Sequence, residues 1–224
     1  MIERASAPAP RTHLLVIQKV ACMMKRWTAL SASLGLVVTI TALGPLAGAL
    51  SPRATAQSSS VDLRSVVTGE KLDLNEALPE GRDTEGVKRF LASGRNPYLF
   101  DASCLKKGEQ TFLAACSGCH GHVGEGKIGP GLNDNYWTYP QGTTDAGLFS
   151  IVFGGAQAQM GPQSLSLTLD DILQAMAWVR HLYTGPAQDA EWLSEDQKKS
   201  YTPYKLGETF PDDPPGMCRG SGKS

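Results

Sequence analysis

The chain of 224 residues carries 22 acidic and 21 basic side chains, but they are unevenly distributed. From Gln57 onward, 21 acidic side chains stand against 15 basic ones, which gives a net charge of −6 over 168 residues. This length suits one domain with a core, and the acidic balance argues against nucleic acid or anionic lipid as a partner. It favours a partner with a basic patch, although ordinary solubility charge would give the same composition.

The N-terminal part of the chain has the pattern of an export signal. Lys25 and Arg26 precede an uncharged, largely apolar run at 29–50 that glycines and a proline interrupt, and small residues follow at 54–56. The pattern predicts cleavage after Ala56 and a periplasmic mature protein without stable membrane insertion. An uncleaved membrane anchor is the alternative, because the run is long enough to cross a bilayer.

The segment 57–102 is mixed and polar, and we interpret it as an N-terminal extension. It contains one predicted helix at 84–91, with Thr84 as its cap and Gly94 as its end. We expect the extension to wrap the following domain and not to form a core of its own.

A second helix is predicted from Ser103 onward. Leu105, Phe112, Leu113 and Cys116 recur at spacings that place them on one face of an amphipathic helix. Such a helix would carry the chain directly into the next motif.

Three residues at the end of this helix form the most informative motif of the chain. Two thiols, Cys116 and Cys119, are separated by two residues, and His120 follows at once. One short turn can present both thiols to the vinyl groups of a haem, while the imidazole supplies the proximal nitrogen to iron. A zinc half-site, an iron–sulfur fragment and a thiol–disulfide motif are the alternatives, and the surrounding residues support each of them less well. The motif predicts one covalently bound haem c.

The residues after the motif are predicted to border the haem. Glycines crowd the loop at 121–131, which includes Pro130, so its backbone could lie close to a flat ligand. The stretch 134–142 brings aromatic side chains with polar tips, among them Tyr136 and Trp137, which could equally be core residues or haem-pocket residues.

Two further helices and a tail complete the predicted pattern. A short helix is expected at 144–153, with Thr143 or Thr144 as its cap. A stronger one is expected at 168–183, where Thr168 and Asp171 form a capping box. Ile172, Met176, Val179 and Tyr183 mark the buried stripe of the stronger helix. The segment 187–224, with a helical turn predicted at 192–199, reads as a C-terminal strap.

Met160 is the predicted distal ligand of the haem iron. It lies forty residues after His120, in a loop that glycines and a proline bracket, and so belongs to no packing stripe. Met176 falls on the apolar stripe, where methionine usually fills the core. The remaining candidates are weaker for reasons of position in the sequence: Met217, His122 and His181.

The cysteines outside the motif predict a disulfide. Cys22 would leave with the signal, so Cys104 and Cys218 remain as a pair in an oxidising compartment. The bond would tie the C-terminal strap to the start of the haem domain. Closing so long a loop contributes about 4 kcal/mol in the chain-entropy model.

Four segments of the chain together closely resemble the cytochrome c-L family. The resemblance covers about 103–204 and rests on the stretches 116–122, 128–140, 154–162 and 176–185. It implies a mainly α fold, a class I cytochrome c core of about three main helices around one haem, with long irregular extensions. It also implies His120 and Met160 as axial ligands and a calcium ion near a haem propionate, although no calcium-loop pattern is visible.

The resemblance also implies a function. The family accepts single electrons from periplasmic quinoprotein methanol dehydrogenases of the calcium or lanthanide type, and a second small c-type cytochrome would take them onward. The protein would then be an electron carrier and not an enzyme. On this reading 1–56 is the signal with its upstream extension, 57–102 the N-terminal extension, 103–186 the haem domain and 187–224 the strap. The alternatives are a haem enzyme or ligand sensor with an open sixth site and a thiol oxidoreductase.

Overall fold

The computed structural model describes residues 61–220, so the predicted signal lies outside the described residues. This range forms six α-helices: α1 (Glu85–Ser93), α2 (Ala102–Ala115), α3 (Ser117–His120), α4 (Asp145–Gly154), α5 (Leu169–His181) and α6 (Glu195–Ser200). β pairing within 61–220 is limited to two isolated bridges, Arg64 with Lys71 and Leu78 with Thr168. The fold is therefore mainly α, as predicted.

Threonine caps begin three of these helices, at the predicted positions. The hydroxyl oxygens of Thr84 and Thr144 accept main-chain N–H bonds at the starts of α1 and α4. Thr168 and Asp171 form the predicted capping box of α5. Gly94 ends α1 in the left-handed conformation. The structure confirms these predictions. Caps can be predicted from sequence because they depend on residues that are close together in the chain.

Helices α2 and α5 pack against each other to form the centre of the core. Gly108 of α2 lies so close to α5 that an added Cβ would stand 2.0 Å from the main-chain oxygen of Gln174. Phe112 is fully buried one turn further along the same face. The prediction that Leu113 shares this face is wrong, since its side chain is 42% exposed.

Helix α5 is buried on nearly every side. The predicted stripe of Ile172, Met176, Val179 and Tyr183 is confirmed as buried. Most of the other α5 residues are buried as well, because α1 and the C-terminal strap cover the faces that the stripe leaves open.

The N-terminal extension contributes side chains to the same core. Leu63, Val87 and Phe90 are buried in one cluster with residues of α2, α4 and α5. The rings of Phe90 and Phe149 lie 4.8 Å apart between centroids. The predicted start of the haem domain at Ser103 falls one residue inside α2.

The C-terminal strap is attached to the start of α2. Cys104 and Cys218 form a disulfide with an S–S distance of 2.06 Å. Beside it, Ser103 Oγ accepts the N–H of Cys218 at 3.0 Å, and Asp101 accepts the N–H of Met217 at 2.7 Å. The carboxylate of Asp101 also caps α2.

The helical turn of the strap begins at a later residue than the sequence predicts. Ser194 caps α6 through a capping box with Gln197, and Trp192 is instead buried in the core.

No helix within 61–220 is both long enough and apolar enough to cross a bilayer.

Candidate haem-binding site

A cavity of about 600 Å³ opens between α2, α4, α5 and the loops that join them. This volume falls in the range of pockets that hold a small-molecule ligand or cofactor. Among its wall residues are all seven side chains that the sequence marked as haem-attaching, ligating or pocket-forming: Cys116, Cys119, His120, Pro130, Tyr136, Trp137 and Met160. The structure brings them together, and their individual roles toward a haem remain predictions.

The two thiols reach the cavity because α2 ends and α3 begins at Cys116, and Cys119 lies within α3. Cys116 ends α2 and starts α3, and its N–H still bonds the carbonyl of Phe112. The single turn of α3 then carries Cys119 and His120 to the same side. Cys116 is half-buried and Cys119 is exposed. Both thiols line the cavity, and their thioether attachment to a haem stays a prediction.

The surroundings of Cys116 do not suit thiol exchange. Burial, helped by the neighbouring Cys119, raises the pKa of the Cys116 thiol to about 11. Thiol–disulfide catalysts instead lower the pKa of their attacking cysteine, since the thiolate is the nucleophile. The thiol oxidoreductase alternative is therefore disfavoured by the site itself.

One ring nitrogen of His120 is hydrogen-bonded to the main chain. Its side chain is buried, and Nδ1 lies 2.9 Å from the carbonyl oxygen of Pro130. Because a carbonyl only accepts, Nδ1 carries the proton and Nε2 keeps its lone pair for a metal. Gly129 packs against the ring so closely that a Cβ there would lie 2.7 Å from Cε1. Pro130 thus acts on the predicted ligand through its carbonyl.

The two predicted aromatic pocket residues occupy different parts of the cavity. Tyr136 is 67% exposed at the mouth, whereas Trp137 is partly buried in the wall. Behind Trp137, the guanidinium carbon of Arg180 lies 4.9 Å from its ring centroid and 4.0 Å from that of Trp192. Trp137 packs against the core and also lines the cavity, and its contact with a haem stays a prediction.

Arg180 fixes this wall through a buried ion pair. Its Nε lies 3.3 Å from Asp145 Oδ1, and its Nη2 donates to the carbonyl of Gly142 at 2.8 Å. Burial lowers the pKa of Arg180 to about 10, so the side chain stays charged at neutral pH. Nothing in the sequence predicts this pair, because the two residues stand 35 positions apart without a motif.

Two of the five candidates for the distal ligand line the cavity. Met160 and Met176 both line it, and Met176 is 1% exposed whereas Met160 is half-buried on a loop. Met217, His122 and His181 are not part of the wall. His181 instead packs with the strap, where its Nε2 lies 3.2 Å from Glu208 Oε2, and burial lowers its pKa against the opposing effect of that carboxylate.

Several wall residues were missed at the level of sequence. Leu148 and Ile151 of α4 face the cavity, but α4 is apolar on almost all sides, so no periodic signal marks the face. Tyr139 belongs to the aromatic stretch 134–142 and was not singled out there, yet its hydroxyl oxygen accepts the N–H of Gln157 at 3.0 Å. Its position before a Pro-initiated turn is the one local signal that could have singled it out.

The residues present fit a haem c. The cavity has an apolar wall with the thiols and one metal-competent imidazole nitrogen on it, and two thioether sulfurs also belong to that wall. Thiols, imidazole and thioether are the groups that attach and ligate haem in c-type cytochromes. No Asp, Glu, Lys or Arg lines this cavity among the described residues.

Comparisons with known proteins agree with this site. The family described as cytochrome c oxidase, cbb3-type, subunit III matches residues 104–179, the segment that holds the motif and most of the cavity wall. Crystal structures of cytochrome cL show the same architecture. The protein from the marine methylotroph Methylophaga aminisulfidivorans is 48% identical, with a TM-score of 0.63 over 66% of this chain and 99% of that chain.

Two further relatives are more similar in sequence. Cytochrome cL of Hyphomicrobium denitrificans is 52% identical, with a TM-score of 0.62 over 66% of this chain and 89% of that chain. Cytochrome c-L of Methylorubrum extorquens is 54% identical over 197 residues, which span 88% of this chain and 98% of that relative. The protein is thus a c-type cytochrome with the cytochrome c fold, an electron carrier and not an enzyme. The chain belongs to the cytochrome c-L family.

Proposed function

We propose that this cytochrome accepts single electrons from a periplasmic quinoprotein methanol dehydrogenase and passes them to a second, small c-type cytochrome. The observation that carries the proposal is the 54% identity to cytochrome c-L over nearly the whole length of that relative. The methylotrophic source of a structural neighbour supports the same direction. In this role the chain holds a redox group and offers it to two partners in turn.

The side chains of the cavity have distinct tasks in this function. Cys116 and Cys119 anchor one haem through thioether bonds, and a bound haem supplies a one-electron iron couple. His120 would ligate the iron through Nε2, since Nδ1 is bound to the carbonyl of Pro130. Met160 would supply a thioether ligand, which raises the reduction potential of a haem and leaves no position for other ligands. A closed sixth position favours electron transfer over peroxidase or sensor chemistry.

Calcium is a separate part of the proposal. The resemblance implies one ion near a haem propionate, and calcium prefers oxygen ligands. Within 61–220 no three side chains of His, Cys, Asp or Glu are grouped closely enough to hold a metal ion. A calcium ion near a haem propionate would therefore have at most two such side chains of this range as ligands, and main-chain carbonyl, amide, propionate or water oxygens would complete its coordination.

Stopped-flow mixing tests the donor directly. The oxidised holoprotein is mixed with reduced methanol dehydrogenase of the calcium type and, separately, of the lanthanide type. Reduction of the haem by at least one of them, in a second-order reaction, is expected. Reduction by dithionite but by neither dehydrogenase would contradict the proposed donor while leaving the cytochrome assignment intact.

The proposed location has its own test. Export with cleavage after Ala56 predicts that the mature protein begins at Gln57 and is recovered from the periplasmic fraction. A mature chain that retains the apolar run 29–50 would instead support the membrane-anchor alternative.

A further inference from the structure

The loop that carries Met160 is closed by its own main chain. The N–H of Ala156 donates to the carbonyl oxygen of Met160 at 2.9 Å. Gly155 has φ +76°, and a Cβ on it would lie 2.7 Å from that same oxygen, so only glycine fits. Ala158 also takes a left-handed φ of 67° at the tip of the loop. The loop is thus a narrow turn with a preset shape.

One hydrogen bond ties this turn to another wall of the cavity. The N–H of Gln157 donates to Tyr139 Oη at 3.0 Å across 18 positions of sequence. Tyr139 itself lines the cavity and directly precedes the turn Pro140–Thr143, which leads into α4. The tyrosine therefore stands on a part of the chain that is anchored apart from the Met160 loop.

We propose that Tyr139 is a positioning residue for the distal ligand: its hydroxyl oxygen holds the Met160 loop against the cavity. The inference rests on the proposed ligation by Met160 and deepens it. Loss of the hydroxyl leaves the Gln157 N–H without its acceptor inside the protein, so the tip of the loop is released toward water. A released loop keeps Met160 less firmly in place, and an external ligand competes with it more easily for iron.

Imidazole is a suitable probe because it competes for the sixth position without involving any protein partner. The oxidised holoprotein is titrated with imidazole, and loss of the weak sulfur-to-iron band at the red end of the spectrum is followed. In Tyr139→Phe the apparent dissociation constant should fall about three- to tenfold, the range that one lost hydrogen bond of this kind produces.

Tyr201→Phe is the matched control. Tyr201 lies outside the cavity wall, and its hydroxyl donates to the carbonyl oxygen of Tyr183, so this change also removes one hydrogen bond between a tyrosine hydroxyl and the main chain. The same chemical change there should leave imidazole affinity unaltered. Equal affinities in the two variants would overturn the proposal, whether both rise or both stay at the wild-type value.

Gly155→Ala keeps the test decisive if Tyr139→Phe does not yield holoprotein. The added Cβ meets the carbonyl of Met160, so the loop must open and imidazole affinity should rise at least as far. Wild-type affinity in Gly155→Ala would overturn the proposal. Because these titrations need no dehydrogenase, their failure is separate from failure of the proposed electron donor. A wild-type protein without the sulfur band would overturn both the ligand assignment and the positioning role.

Discussion

Met160 and Met176 line the same cavity, yet the chain holds them in different ways. Met160 lies half-buried on a loop that its own main-chain hydrogen bond closes, and it is not part of the core cluster. Met176 is almost fully buried on α5 and belongs to that cluster. A thioether in the first setting can serve as a ligand without loss of core packing, whereas one in the second fills space.

Substitution of the two methionines by alanine separates these roles. Met160→Ala should abolish the sulfur-to-iron band, lower the reduction potential and open the reduced haem to carbon monoxide, with the covalent haem retained. Met176→Ala should keep the band and lower the free energy of unfolding by about 2 to 5 kcal/mol, because it leaves a cavity in the core. Spectra, potentiometry and urea unfolding of both variants provide the measurement. Retention of the band and potential in Met160→Ala would move the ligand assignment to Met176.

The pKa of His181 gives a second prediction at this scale. Burial lowers it below the ordinary value of 6.5, although Glu208 acts in the opposite direction. The unfolded chain therefore binds this proton at a higher pH than the folded one, so stability rises with pH through the window below about 6.5. The free energy of unfolding should fall as pH is lowered from 7 toward 5.

His181→Gln should reduce that slope, while His122→Gln, at an exposed position, should not. Urea unfolding at a series of pH values measures both. A slope unchanged by the loss of His181 would mean that its pKa is the same in the folded and the unfolded protein, and a steeper slope would mean that pairing with Glu208 raises the pKa in the folded protein. The groups packed around His181 are otherwise aromatic: Trp178, Tyr204 and Phe210.

Among the helices, sequence predicts what local rules determine. The starts of α1, α4 and α5 follow from Thr84, Thr144 and Thr168, since a capping side chain bonds the main chain within three residues. The haem motif is equally local. The exposure of Leu113 could not be read from its spacing, because the position of α5 against Gly108 decides which face of α2 is covered.

The parts of the site that sequence did not predict depend on long-range contacts. Arg180 and Asp145 pair from different helices, and Tyr139 meets Gln157 from the opposite end of α4. Each partner is an ordinary residue in its local context. Only the packing of α4 against α5 and the closure of the Met160 loop bring the groups together.

The attachment of the strap to α2 makes a prediction at the level of elements. Cys104 and Cys218 are almost fully buried where their disulfide joins the two segments. Replacement of both by alanine should lower the free energy of unfolding by about 2 to 5 kcal/mol, because the unfolded chain regains the freedom of a long open loop. Urea unfolding of the variant and the wild type gives the difference.

Alkylation and reduction provide the control for this bond. Intact-mass measurement of the unreduced wild type after alkylation should show no label on either cysteine. A reductant should then destabilise the wild type but not the double variant. Labelling of both residues without reductant would mean that no disulfide joins the strap to α2.

At the scale of the whole molecule, the net charge of the chain and the uncharged wall of the cavity suggest two separate contributions to an encounter with an electron donor. From Gln57 the chain carries a net charge of −6, while no acidic or basic side chain lines the cavity among the described residues. The charges that attract a basic partner must then lie outside the cavity wall. Long-range attraction would govern approach, and uncharged contacts would form at the cavity mouth.

This division predicts how the rate of reduction by the proposed dehydrogenase donor depends on salt. Between about 0.01 M and 1 M salt the Debye length falls from about 30 Å to about 3 Å, so steering by charge is lost. The second-order rate constant should fall about tenfold or more over this range, as steered associations do. Stopped-flow measurement with the dehydrogenase tests this, with a small uncharged reductant as the control whose rate should stay constant. A dehydrogenase rate that does not change with salt would mean that apolar contacts around Tyr136 and the cavity mouth alone guide the encounter, and that the acidic balance serves solubility.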